Sequence, residues 1–557
     1  MGESELGTSK CILHWLLLYK LILYEEKMLE GENEGEEPGP PVIDLDTSGC
    51  SAASDQQPSN IPGSVTFLCS AHDYLGQLGL CTADGGELLT ILVEKTVACM
   101  FKKQGSGNRS AENLLKKACD QALYCLYAHP SKKSKLKHLV DHGASNVDLE
   151  WEHCVPAYVY LRPEKLPEFD DFKSSSILAE TVLFYKRIVE LIPKRFGLEG
   201  RVKEFDKYLT CQTKTFPSFQ ALPPSETRGA ILDVLYLLAD YYFKNNEFPT
   251  AIEYYRQDLS FNCSRVDSWF PMALSMINGL EQKLNETVKA QGKFAELTSS
   301  QVRGILSEAD QVFRCLKKSL SLSPNNTTIC IESANFAFTM SAFCSRQQRL
   351  FRTGTTTTNQ EGSEEQISKS MLDDEKSVSS ELKEIGPMYL KSASDHYAKA
   401  LDLMAKQDED EAVDEMWLLH FMKGKIKEKQ GQPLVEALKE YMRALEKLLA
   451  EGATVPKKIN FNNPQDYALE LLEVYYRIHA SIVKTELRVK TRPDHSLSTL
   501  NQFLEVLGQV ESVGVFPGSA GQTSTVDKAA LTGMITDHSI FCFFCVKNHG
   551  LAWRANQ

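Results

Sequence analysis

Apolar residues recur with helical spacing along most of the chain, and polar breaks between these runs predict helices joined in pairs. The clearest case is 231–284. Leu235, Leu238 and Tyr242 stand at i, i+3 and i+7 and share one helical face, while Ala251 and Tyr255 stand one turn apart on the next helix. Between them, Lys244-Asn245-Asn246-Glu247-Phe248-Pro249 reads as a turn whose proline suits the first turn of the following helix. Ala239 and Ala251 put small side chains where two helices must approach closely. Upstream, the spacing predicts helices over roughly 65–80, 86–103, 110–128, 131–142, 146–161 and 174–193, with Pro-bearing connectors at 161–171 and 212–227.

The pattern also repeats. Trp269 falls 34 residues after Leu235, and Ala273 falls 34 after Ala239. A helix–turn–helix unit of that length, with small and aromatic residues at fixed offsets, is the signature of tetratricopeptide repeats (TPR). The match is imperfect, because Cys263 stands where a proline ends such a unit. Further units follow. The stretch 312–324 ends in Leu322-Ser323-Pro324, and 328–346 places Cys330 and Ala334 at the Trp269 and small-residue offsets. Ala393, Tyr397 and Ala400 hold second-helix offsets in 389–404. Gly424, Ala437, Tyr441 and Ala444 mark a hairpin over 416–449, and 463–487 supplies half of a last one.

These patterns predict an all-α, TPR-like helical-hairpin solenoid with disordered linkers. Its segments are an apolar helix (1–25), an acidic linker (26–63), a helical region (64–211), repeats (228–352), a disordered Thr/Gly/Ser/Glu-rich insertion (353–385), further repeats (386–490) and an irregular tail (491–557). The run 11–24 is too short for a membrane span, is interrupted by Lys20, and follows the acidic Glu3 and Glu5 without a cleavage signal. It is expected to be a buried helix whose N-terminal neighbours lie outside this chain.

Two short motifs suggest partners. In the acidic linker, Val42, Ile43, Asp44 and Leu45 form a β-prone tetrad suited to strand addition, resembling a SUMO-interacting motif and, more loosely, a calcineurin docking site. Lys132, Lys133, Lys135 and Lys137 form a basic patch that reads either as a nuclear-localisation or acidic-partner site, or as the solvated face of a short helix.

Composition narrows the function. A net charge of -13 argues against a chain that grips nucleic acid through its overall field. The 15 cysteines are scattered singly and, in helices, read as reduced core residues, Cys119, Cys125, Cys315 and Cys330 among them. No Gly-rich phosphate loop precedes a helix, and the histidines are dispersed. His138 and His142 are the one pair at helical spacing, with no further ligand expected near them. Cys542 and Cys545, with His549 and His538, make a poor zinc pattern. No catalytic constellation, cofactor or metal is expected.

Beyond the periodicity, particular phrases carry a resemblance. PSKKSK (130–135), VDLEWE (147–152), LPEFDDFKSS (166–175), YLLADYYFKN (236–245), DSWFPMAL (267–274), PKKINFNNP (456–464) and LEVYYRIHASIVK (472–484) resemble the cabin (cain) family of calcineurin-binding proteins, whose fungal counterpart is the third subunit of the HIR complex. The resemblance runs from about 11 to 487 and includes connectors as well as helices. It implies a nuclear TPR subunit of a HIRA-type histone chaperone complex, a scaffold in chromatin organisation and nucleosome assembly. Its partners would be the other chaperone subunits and, through them, histones, without direct nucleic-acid or membrane binding. Only the family's middle section is matched, so its calcineurin-binding segment is carried over to no residue here. The competing readings are a generic TPR adaptor or co-chaperone, of the kind that grips a C-terminal carboxylate, and a calcineurin-pathway regulator. The positions that would form that clamp, Tyr236 and Asp240, supply no cation.

Overall fold

The computed structural model describes residues 3–33, 61–102, 109–131, 136–169, 175–219, 226–291, 297–357, 367–406, 416–454 and 467–491. Among these the chain is all-α, built of TPR-like helical hairpins and containing no strand. It forms two compact units, 1–279 and 280–557.

In the first unit, α1 (Glu3–Asn33), α2 (Gly63–Gln77), α3 (Glu87–Lys102) and α4 (Arg109–Tyr127) pack in succession. Then come α5 (Trp151–Leu161), α6 (Ala179–Glu190), α7 (Leu198–Leu209), α8 (Glu226–Lys244), α9 (Phe248–Phe261) and the start of α10 (Val266–Gln291). The α8–α9 hairpin turns at Asn246, which takes a left-handed backbone, and Pro249 sits in the first turn of α9. Ala239, Ala251, Tyr255, Trp269 and Ala273 are completely buried, as are Leu235 and Leu238, and Tyr242 is nearly so. The missing proline at Cys263 is answered by Trp269, whose indole Nε1 donates to the Cys263 carbonyl at 2.9 Å. Its ring packs on Phe205 and Phe216.

The second unit contains α11 (Ser299–Leu322), α12 (Thr327–Thr357), α13 (Ile367–Met404), α14 (Met416–Lys429), α15 (Leu434–Ala450) and α16 (Ala468–Thr491). Ala393, Tyr397, Ala400, Ala437, Tyr441 and Ala444 are buried without residual exposure. Gly424 is buried too, and its missing side chain is what seats the Tyr441 ring: an added Cβ would lie 2.5 Å from Tyr441 Cε1. Pro324 is exposed in the turn that follows α11, beyond the cap at Ser323.

Several expected boundaries are corrected. The first helix runs on through residues assigned to the acidic linker, because Glu26 has a task there. Its Oε1 accepts the Ser64 backbone N–H at 2.8 Å and caps α2, whose own N-cap residue, Pro62, offers no side-chain acceptor. The polar insertion is also largely helical. Within 353–385, residues up to Thr357 belong to α12 and those from Ile367 to α13. A sparse stripe, with Val378 and Leu382 buried, supplies the packing face that composition concealed. No helix forms over 131–142 among the described residues. The segment 136–150 is a turn followed by irregular chain, and α5 starts only at Trp151. Conversely, α7 forms where the sequence pattern gave no helix.

Candidate functional site

The region where helix was expected and did not form gathers a cluster of four metal-ligating side chains among the described residues. Residue 142 leaves the irregular segment and enters a pocket between the C-terminal ends of α2 and α4. There His72 (α2), Cys81 (the turn after α2), Cys125 (α4) and His142 bring four donor atoms within 4.8 Å of one another. His142 Nδ1 lies 3.6 Å from Cys81 Sγ and 3.4 Å from Cys125 Sγ, and its ring meets the His72 ring edge-on at 5.1 Å. The two cysteines and His72 are buried, and His142 is half-buried.

Local structure delivers each group. α2 ends with Leu80 N–H bonded to the Leu75 carbonyl and Gly79 N–H to the Gly76 carbonyl, with Gly79 left-handed. This Schellman closure turns the chain back and places Cys81 beside His72. Gly76 admits the His142 ring, since a Cβ there would lie 2.3 Å from the imidazole. On α4, Gln121 clamps the incoming segment at both ends of its amide. Its Oε1 accepts from Val140 N–H at 2.7 Å, and its Nε2 donates to the Val140 carbonyl at 2.8 Å and to Cys125 Sγ at 3.3 Å. Asn146 Nδ2 donates to the Cys125 carbonyl at 2.9 Å. Hydrogen bonding from Cys81 draws the Cys125 thiol down against the opposing effect of burial, and the same contact pushes Cys81 up.

A second polar cluster lies under the α8–α9 hairpin. Arg265 donates to Asp258 Oδ1 and the Leu232 carbonyl at 3.1 Å, approaches Asp233 at 3.4 Å, and lies over the Tyr236 ring. Ser268 donates to Asp258 at 2.6 Å and Tyr158 to Asp233 at 2.6 Å. Burial lifts Asp258 to about 6 despite Arg265 and Ser268. Every partner in this cluster comes from the fold itself, so its chemistry is structural: it ties α5, α8, α9 and α10 together. The two positions of the carboxylate clamp are likewise committed. Tyr236 donates to the Pro167 carbonyl at 2.6 Å, and Asp240 is buried against Lys244 at 3.0 Å.

Of the short motifs, Val42, Ile43, Asp44 and Leu45 lie outside the described residues, as do Lys132, Lys133, Lys135, Cys542 and Cys545. Lys137 is exposed on the turn before the irregular segment, so it does not sit on a helix face. The expectation that His142 has no further ligand near it fails, and Cys125 is more than a filler of the core. Sequence reasoning missed this site because its donors come from separated elements: Cys125 and Cys81 are 17 and 61 positions from His142.

No protein-family model matches the chain. Among solved structures, one described as the APC/C hetero-tetramer Cut9-Hcn1 is similar to it at 12% identity, over 74% of this chain and 76% of that one, with a TM-score of 0.14. A superposition at that score carries no weight for fold or function, and the architecture rests on the helices themselves.

Proposed function

We propose that this chain is a non-enzymatic scaffold subunit of a nuclear, replication-independent histone-deposition complex of the HIRA type, binding protein partners through its helical hairpins. The observation that carries the scaffold reading is the outer face of α1. Ile12, Leu16 and Tyr19 are buried on the inner side, while Leu13, Leu17, Leu21, Tyr24 and Met28 repeat along the opposite side with exposures between 51% and 61%. A continuous apolar ridge of this kind suits a partner surface. Among the described residues no helix is long and apolar enough to cross a membrane. The HIRA-type assignment is supported by the cabin-like phrases, several of which lie in connectors where helix-forming pressure does not dictate sequence.

The reading as a carboxylate-gripping adaptor is disfavoured by Tyr236, whose hydroxyl is bonded to the Pro167 carbonyl, and by Asp240, which is buried beside Lys244 and carries the wrong charge for a carboxylate. The tagged chain should retain histone-chaperone subunits from nuclear extract, identified by mass spectrometry. Leu17→Glu with Leu21→Glu should abolish that retention while leaving helical content and melting unchanged. Retention by the double variant equal to wild type would remove α1 from the interface. Recovery of chaperones bearing acidic C-terminal tails in place of histone-chaperone subunits would favour the adaptor.

A further inference from the structure

We propose that His72, Cys81, Cys125 and His142 are the ligands of a closed, four-coordinate zinc site that fastens the C-terminal ends of α2 and α4 to the segment 136–150. The donor set is two thiol sulfurs and two imidazole nitrogens, the Cys2His2 combination that suits tetrahedral zinc and disfavours hard cations. Its spacing agrees with this. Zinc–sulfur and zinc–nitrogen bonds of about 2.3 and 2.0–2.1 Å at tetrahedral angles separate S from N by roughly 3.5 Å. The two S···N separations at His142 are 3.6 and 3.4 Å.

Three further observations point the same way. His72 is 2% exposed, and its Nε2 is buried without a hydrogen-bond partner. A polar atom in that position requires a partner, and a metal ion bound by the neighbouring donors would supply one. Gln121 donates to Cys125 Sγ while gripping Val140 from both sides, so one outer residue both stabilises a thiolate and fixes the backbone that carries His142. Gly76 leaves room for the His142 ring where that ring reaches both sulfurs. A plain hydrophobic core explains none of these: two imidazoles and two thiols are poor choices for filling space.

The number of ligands decides the role. Four protein donors complete the tetrahedron and leave no position for water or substrate, which makes the site structural. On binding, both thiols release their protons to solvent and coordinate as thiolates. The site then does for 136–150 what regular hydrogen bonding does for a helix, holding an irregular segment in one arrangement between α4 and α5. This inference is independent of the proposed partners.

The test uses the full chain purified from zinc-replete cells under reducing conditions. Elemental analysis should find about one zinc per chain, and Cys125→Ser or His142→Ala should reduce it about tenfold or more. Cys211→Ser with Cys263→Ser, which alters the exposed cysteines, should leave it unchanged. Should the ligand variants fail to fold, two measurements on the unmodified chain still decide. Cobalt exchanged for zinc should give the visible bands of tetrahedral cobalt and a thiolate-to-cobalt charge-transfer band. Chelation should raise hydrogen exchange in 136–147 and at the ends of α2 and α4 while leaving the α14–α15 hairpin protected. The proposal is overturned by metal-free protein with no tetrahedral cobalt spectrum, by zinc retained in the Cys81→Ser/Cys125→Ser double variant, by a native Cys81–Cys125 disulfide, or by exchange that chelation does not alter.

Discussion

In the α14–α15 hairpin the contacts that close the structure join near neighbours in sequence. The Tyr441 ring covers Gly424, and Glu440 receives His420 at 2.9 Å and Lys427 at 3.0 Å across the same turn. Around His142 the same function falls to groups from α2, the following turn, α4 and a segment with no regular structure. The hairpin is thus specified by side-chain size at fixed offsets, so it forms wherever those offsets recur. The His142 region is specified by donor chemistry and needs all of its elements in place at once. One molecule therefore combines a repeat architecture that tolerates variation with a pocket that does not.

The largest effect should come from removing the bulkiest fully buried side chain among the described residues. Trp269 is fully buried and hydrogen-bonded to Cys263, so Trp269→Ala should cost about 3–5 kcal/mol in chemical denaturation. A variant as stable as wild type would break the comparison, since offset packing would then not be what holds the hairpins.

Next in size is Glu440, the polar counterpart of that packing. Burial pushes its carboxyl up, but His420, Lys427 and Lys423 more than reverse this and hold it at about 2, below the ordinary 4.5. A depressed folded value means that the ionised form favours the fold. The stabilisation is therefore complete above pH 4.5 and is lost as pH falls towards 2, by up to about 3 kcal/mol. Denaturation at pH 6, 4 and 3 should show Glu440→Gln converging on wild type as the medium becomes acidic. Parallel curves would mean that these charges contribute nothing to stability.

Two glycines then set the regions against each other directly. An added methyl at Gly76 meets the His142 imidazole at 2.3 Å, and one at Gly424 meets the Tyr441 ring at 2.5 Å. Each Gly→Ala change should overpack its site by about 1–3 kcal/mol. The consequences should differ. Gly424→Ala should lower stability alone, whereas Gly76→Ala should also expel the His142 ring and with it any metal. Equal metal content in both variants would erase the distinction between the two regions.

These contrasts explain what was legible in the sequence. Ala239, Ala251, Ala393, Ala437 and their aromatic partners could be placed because a helix puts i, i+3 and i+4 on one face, and the repeat period multiplies that signal. The first half of α13 was hidden because Val378 and Leu382 are sparse among Ser, Asp and Glu, and because tertiary packing against α12 outweighs composition. Glu26 was hidden because capping a distant helix leaves no local pattern. The His142 cluster was hidden for a stronger reason. Its spacings follow from where α2 and α4 end and not from a ligand motif, so no search for Cys-x-x-Cys spacing finds it. His138, which shared helical spacing with His142, faces Asp120 instead at 3.2 Å.

The smallest effect concerns a local device that the offsets alone did not reveal. Thr298 begins α11 as an N-cap: its hydroxyl accepts the Gln301 backbone N–H at 3.3 Å, and Gln301 Oε1 accepts the Thr298 N–H at 2.9 Å. This reciprocal box satisfies two backbone donors at a helix start and depends on residues three apart, so it belongs wholly with the hairpin style of specification. Thr298→Ala should cost about 1 kcal/mol, and Thr298→Ser should cost little because the hydroxyl remains. The loss should appear as faster amide exchange in the first turn of α11, with the exchange of 136–147 unchanged. Should Thr298→Ala leave that first turn as protected as in wild type, the start of α11 is held by tertiary packing and not by its cap. The division between locally and distantly specified structure would then be less sharp than the α14–α15 hairpin suggests.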